Sequence, residues 1–210
     1  YLEFLYTTEG QEILASFNNR VHDEAVVEAS ALAATGAWAE AETLLRDAGV
    51  EQSTHGPALA IFGRCFLRNV ENLAGAGELS GLEVNDAFLD AADWLEKAVK
   101  AGGGAPAFVD WSEALLNAGD ARAALEAAAE GREAVASDGP LILQWARIRA
   151  VQAQNLKAMD APEKAATAWR EAADACGEAM NASPDDAVAC VRRGENLLWL
   201  ASVEPEDNLR

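Results

Sequence analysis

The chain has 210 residues, half of them hydrophobic, and carries 35 acidic against 16 basic side chains for a formal net charge of -19. That length suits one domain or one elongated array, with enough apolar material for a core. The charge repels phosphate backbones and anionic headgroups, so nucleic acid and membrane surfaces are not expected partners, and no apolar run approaches the ~20 residues that span a bilayer.

The chain opens at Tyr1 rather than Met, so it reads as a piece of a longer protein. Residues 1–21 are expected to supply an N-terminal helix or the remnant of a preceding repeat. Beyond them, apolar residues recur at helical spacing over 24–35, 38–49, 57–74, 86–101, 106–117, 120–136, 140–158, 162–181 and 185–201. Pro57, Pro106, Pro140, Pro162 and Pro184 each stand at the start of such a segment, where proline's fixed φ and missing N–H cost a helix least. Ser183-Pro184-Asp185-Asp186 is the plainest start, a hydroxyl cap with a carboxylate three positions on. There is little β-branched alternation, so no strands are expected. The links are short and contain Gly or Asp, which favours antiparallel helix pairs. Residues 75–86 and 102–104 read as looser loops, and 202–210 as a tail.

A spacing recurs along these segments. Gly36 leads to Ala41, Leu45 and Ala48; Asp86 to Ala91, Leu95 and Ala98; Gly119 to Ala124, Ala128 and Gly131; Asp160 to Ala165, Trp169 and Ala172. Steps of four and three place these side chains on one helix face, and Ala at the first site lets a neighbouring helix come close. Upstream, a small residue and then an apolar one recur: Ala29 and Leu32, Ser112 and Leu115, Ala153 and Leu156, Gly194 and Leu197. Each unit is thus a helix hairpin with small residues where its helices cross.

This pattern resembles the tetratricopeptide repeat (TPR), a helix–turn–helix unit of about 34 residues. The resemblance covers residues 22–201 and is degenerate, since only the step from Ala91 to Ala124 comes near the family's period. It implies an all-α, right-handed superhelical α-hairpin solenoid of about four to five degenerate repeats. A hairpin solenoid of other ancestry is the alternative. In either, one hairpin cannot bury its apolar face and stacked neighbours do so together.

Chemistry is scarce. Cys65, Cys176 and Cys190 are odd in number and spaced for neither a metal knuckle nor a redox pair. They read as reduced core residues, which fits a cytoplasmic location, with a Cys176–Cys190 disulfide as the alternative. His22 and His55 are too few for a zinc site or a triad, and no cofactor is expected. Gly75-Ala-Gly-Glu-Leu-Ser-Gly81 lacks the preceding strand and the Lys-Ser/Thr ending of a phosphate loop. Asp110 and Glu113 form a carboxylate pair of the kind helical-barrel glycosidases use, though solvation is the commoner role for such residues. Trp94 and Trp169 fall at core positions, Trp111 and Trp145 sit where hairpins meet, and Trp199 is the tryptophan least explained by packing.

The resemblance further implies a concave groove lined by the first helices. With Gly63, Ala153 and Gly194 at the small position, it brings Arg64, Arg68, Arg147, Gln154, Lys157, Arg192 and Trp199 into that groove. Five cations facing one way in an acidic protein would draw an acidic or extended peptide, or a C-terminal carboxylate; alternatively they neutralise adjacent Asp and Glu. The clamp of chaperone-tail-binding TPR modules does not carry over, because its places hold residues such as Ala60, Arg64, Asp110 and Glu113. The expected function is a non-catalytic protein- or peptide-binding scaffold or adaptor, with self-association through terminal hairpins left open. A regulatory or sensor domain of a multidomain enzyme or transcription regulator is the second reading, and an α-helical-barrel hydrolase the third. The excess of Arg over Lys, with abundant Ala and acid, suits a high-GC bacterial gene or a salt-adapted host.

Overall fold

The computed structural model describes residues 23–183 and 187–203. The helix expected within 1–21, the Pro184–Asp186 part of the last helix start and most of the 202–210 tail lie outside the described residues. Among those described, the chain is helical and contains no strand. In order come α1 (23–34), α2 (Trp38–Asp47), a 3-10 turn (Val50–Gln52), α3 (Gly56–Gly75), α4 (Gly81–Lys100), α5 (Gly104–Asn117), α6 (Ala121–Ala134), α7 (Gly139–Ala158), α8 (Pro162–Ala182) and α9 (Ala187–Ala201). Proline stands in the first turn of α3, α7 and α8, as the sequence leads one to expect. The chain divides into two compact units, Tyr1–Asp110 and Trp111–Arg210, and the division falls within α5.

The recurring spacing begins at a special backbone residue. Gly36, Gly119 and Asp160 all have positive φ, at 83°, 88° and 57°. At each, the following N–H reaches back five residues to a helix carbonyl, Ala37 to Leu32, Asp120 to Leu115 and Ala161 to Leu156, all at 3.0–3.1 Å. This is the Schellman closure of a helix C-terminus, which needs one left-handed residue and turns the chain sharply into the next helix. Because the turn geometry is the same, the fifth residue onward meets the preceding helix in the same register. Ala41, Ala124 and Ala165 are each fully buried, as are Leu45, Ala128 and Trp169 four positions later.

The Asp86 copy corrects that reading. Asp86 lies inside α4, which starts at Gly81, so the expected loop is confined to 76–80 and does not run on to 86. The turn residue of this hairpin is Gly77, with φ 73° and a bond from Glu78 N–H to the Leu73 carbonyl. Ala91, Leu95 and Ala98 are nonetheless fully buried, so the expected face is the inward one and only the helix start differs. Both helices of this hairpin run to 20 residues, which moves the turn away from the crossing point.

In the first unit, Ala25 and Ala29 of α1 pack with Ala41 and Leu45 of α2 and with Ala58, Phe62 and Cys65 of α3. A second cluster joins Leu59 and Ala60 of α3 to Ala98 of α4 and Ala107 of α5. Gly63 sits hard against α4: a Cβ there would lie 2.7 Å from Leu95 Cδ2. Glu42, almost buried, accepts from Asn69 Nδ2 and pairs with Arg46, each at 2.8 Å, so its charge is not stranded.

In the second unit, Ala124 and Ala128 of α6 pack on Ile148 of α7. Ala153 of α7 packs with Ala165 and Trp169 of α8 and Leu200 of α9, and Ile142 and Ala146 with Cys176 and Ala179 of α8 and Ala189 of α9. The small-residue positions Ser112 and Ala153 are fully buried. Gly194 differs, since it is exposed and a Cβ there would meet nothing within 4 Å. All three cysteines are free, and Cys190 is exposed rather than in the core. Burial pushes the Cys65 thiol up to about 11 and raises Cys176 as well.

Candidate functional site

The seven residues expected in a groove fall into two sets, one in each unit. In the second unit, α7 presents Arg147 and Gln154 seven residues apart, and α9 presents Arg192 and Trp199 at the same interval. Two helical turns separate each pair, so both members share a face. All four line one cavity of about 160 Å3, whose wall also holds Leu143, Ala150, Glu195 and Asn196. The nearly buried Asn196 directs its amide at Cys176 Sγ, 3.7 Å away.

Acidic side chains hold the cations of this cavity in place. Arg147 Nη1 donates to Glu113 Oε1 at 2.7 Å, and Arg192 Nη1 to Glu195 Oε2 at 3.3 Å. The Arg192–Glu195 pair is more than half exposed at both ends, and Arg147 is 40% exposed. An exposed pair such as Arg192–Glu195 contributes roughly 0–1 kcal/mol, so another carboxylate can displace Glu195 at little cost, while Glu113, 13% exposed, holds Arg147 more firmly. Trp199, 46% exposed, stacks on the buried Trp169 with centroids 5.9 Å apart and planes 13° from parallel. Lys157 holds its ammonium 5.3 Å from the Trp199 centroid and 5.7 Å from that of Trp169, and donates to Ser202 Oγ at 3.2 Å. Trp199 thus has a packing partner that the sequence did not reveal.

Arg64 and Arg68 form the other set, around a carboxylate of the first unit. Arg64 Nε donates to Asp110 Oδ2 at 2.7 Å, and Arg68 Nη2 lies 3.8 Å from Asp110 Oδ1 while its Nη1 binds Glu71 at 2.7 Å. Asp110 is 3% exposed, so these guanidiniums compensate a buried charge. Beside Arg64, Trp38, Ile61, Ala33 and Ser30 enclose a hollow of about 230 Å3. Asp110 and Glu113, the carboxylates weighed for acid–base chemistry, are each bonded to arginine.

Asn196 and Glu195 were not singled out from the sequence. The available signal is the polar run from Arg192 to Asn196 in the middle of α9, which places Asn196 one turn after Arg192. Trp145, expected where hairpins meet, has cationic neighbours the sequence does not reveal: the guanidinium carbons of Arg132 and Arg149 lie 4.8 and 5.6 Å from its centroid. It borders a second cavity of about 400 Å3 with Arg132, Glu178 and Ile142. Among the described residues, no three His, Cys, Asp or Glu side chains gather as metal ligands, and no helix is long and apolar enough to cross a membrane.

No protein-family model matches the sequence, and no curated protein matches it. Solved structures do resemble it in backbone. MamA protein aligns with a TM-score of 0.51 at 12% identity, over 88% of this chain and 91% of its own. A TPR repeats protein from Bacteroides fragilis aligns at 0.48 and 13% identity, over 84% and 98%. YrrB, described as a TPR protein with an unusual peptide-binding site, aligns at 0.45 and 16%, over 81% and 90%. At these identities the likeness concerns the fold alone. Taken with the helix hairpins and their recurring small-residue register, the MamA alignment shows an all-α helical-hairpin repeat fold, consistent with the TPR-like architecture that the sequence pattern implies.

Proposed function

We propose that the protein is a non-catalytic interaction module, and that the cavity between α7 and α9 takes an extended peptide segment bearing a carboxylate. The observation that carries this reading is the convergence of Arg147, Gln154, Arg192 and Trp199 on one cavity. Arg147 and Arg192 supply planar donors that match a carboxylate, Gln154 and Asn196 supply amides that bind peptide backbone, and Trp199 supplies a flat apolar face. Helices already packed in place lower the ordering cost of binding. Against a net charge of -19, which repels anions overall, this pair of cations offers an anionic ligand a local point of attachment.

The test is a partner pull-down with the chain at low and moderate salt, beside an Arg147→Ala/Arg192→Ala variant. Arg192→Ala leaves only the exposed Glu195, whereas Arg147→Ala leaves Glu113, which is 13% exposed, without this cation, so the melting temperature of the double variant is measured first and Arg192→Ala alone is carried beside it. Arg64→Ala is unsuited to this test because it leaves Asp110 buried without its closest cation. A partner lost in the variant and weakened by salt is the expected result. Retention of the same partner by the variant would make these arginines structural and overturn the reading.

A further inference from the structure

The α7–α9 cavity has two unlike ends. Ile142 and Ala146 of α7 share a packed cluster with Ala189 of α9, and Ala153 shares another with Leu200, so the two helices run parallel along the cavity. Arg147 and Arg192 therefore stand together at one end, and Gln154 and Trp199, each seven residues further along its helix, at the other. Seven residues of helix span about 10.5 Å. Glu195 and Asn196, three and four residues beyond Arg192, line the middle.

Each part suits a different group. Arg192 gives up the exposed Glu195 at little cost, so a carboxylate fits the arginine end. Trp199 stays 46% exposed although Trp169 stacks on it and Lys157 lies beside it, and the uncovered ring is a flat apolar platform. Lys157 itself donates to Ser202 and is not part of the cavity wall. Glu195, once released from Arg192, leaves a negative charge at the middle, which repels a second acid and favours a cation. The volume of about 160 Å3 is well below the ~300 Å3 at which sites for whole small molecules begin, so the cavity takes part of a longer chain. Polyproline II returns a side chain to the same face every third residue, after about 9 Å, which nearly spans the two ends, whereas same-face positions of a β-strand fall at about 7 and 13 Å.

We propose that the ligand of this cavity is a bipartite segment with a single acid: a carboxylate on Arg147 and Arg192, an aromatic or large apolar side chain on Trp199 three residues away, and no acid between them. Glu195 is the specificity-determining residue, because it excludes a run of acids and accepts a basic residue in the middle. The inference rests on the peptide reading above and narrows it. A uniformly acidic segment meets Glu195 as well as the overall charge of -19, and both reject it.

Isothermal titration calorimetry of the whole chain with short capped serine peptides tests this. The probe carries one glutamate, one phenylalanine three residues to either side of it, and one lysine between. Binding is expected to weaken on Arg192→Ala, and to weaken roughly two- to tenfold when the peptide's phenylalanine becomes serine. Exchanging its lysine for glutamate should weaken binding by about two- to fivefold, and Glu195→Gln should abolish that difference. A peptide whose one carboxylate is its C-terminus, with phenylalanine three residues before it, separates a chain end from an acidic side chain: the tighter of the two probes names the source. Binding that needs Arg192 but ignores the phenylalanine, or that the second glutamate tightens, overturns the inference while the peptide reading stands. A lysine preference that survives Glu195→Gln overturns the role of Glu195. No binding of any of these peptides up to about 1 mM overturns the inference as well, whereas the peptide reading is decided by the partner pull-down, so the two failures are distinct.

Discussion

Gly119 and Asp160 occupy equivalent turns with opposite chemistry. Both have positive φ, yet one is the residue that tolerates it and the other carries a side chain. A Cβ at Gly119 would meet nothing within 4 Å, so Gly119→Ala is charged for backbone conformation alone, about 1–2 kcal/mol. Asp160→Gly should move the other way by about 0.5–1 kcal/mol, less because Asp tolerates the left-handed region better than Ala. Urea denaturation of the two variants checks both signs, and equal effects in one direction would show that these turns are not equivalent. The turn residue itself was legible at both sites, because Gly and Asp stand where apolar periodicity breaks. The partners of the groove arginines were not. Arg64 and Asp110 are 46 residues apart and Arg147 and Glu113 are 34 apart, and no local pattern couples residues at such distances.

At the scale of one helix, α4 shows why its start was misplaced. Ser80 and Glu83 form a capping box in which the Ser80 N–H donates to Glu83 Oε2 at 2.9 Å. The motif lay within Gly75–Gly81 and its continuation, where a cluster of glycines reads as loop and masks it. Ser80→Ala should cost about 1 kcal/mol. The hydrogen bonds from Ser80 hold the Glu83 carboxyl below its ordinary value of 4.5. A lowered carboxylate contributes stability above its unfolded value and loses it as the pH falls through the folded one. Glu83→Gln should therefore be less stable than the parent at neutral pH, with the difference vanishing as the pH drops below the ordinary carboxylate range. Urea melts at pH 7 and pH 3 measure this, and a pH-independent difference would count against the charged cap. In α9, Gly194 has the sequence register of Ala29, Ser112 and Ala153, yet those three are buried and Gly194 is open. A helical period locates a face; it does not say whether another helix covers it.

For the molecule as a whole, charge is the dominant collective feature. With a formal charge of -19, self-repulsion opposes the compact state, and salt screens it. The melting temperature should rise by several degrees between low ionic strength and about 0.5 M sodium chloride, the reverse of what a fold held by surface ion pairs would show. Thermal melts by circular dichroism read this directly. By itself the sequence determined the all-helical class, the hairpin spacing and the inward faces of α2, α4, α6 and α8, because these follow from local turn chemistry and from periodicities a few residues long. Tertiary structure alone decided that Arg147, Gln154, Arg192 and Trp199 share a cavity, that Arg64 and Arg68 compensate a buried Asp110, and that the outward face of α9 is open. Those facts depend on which helices come to lie side by side and which side remains uncovered, and that is set by packing between segments far apart in the chain.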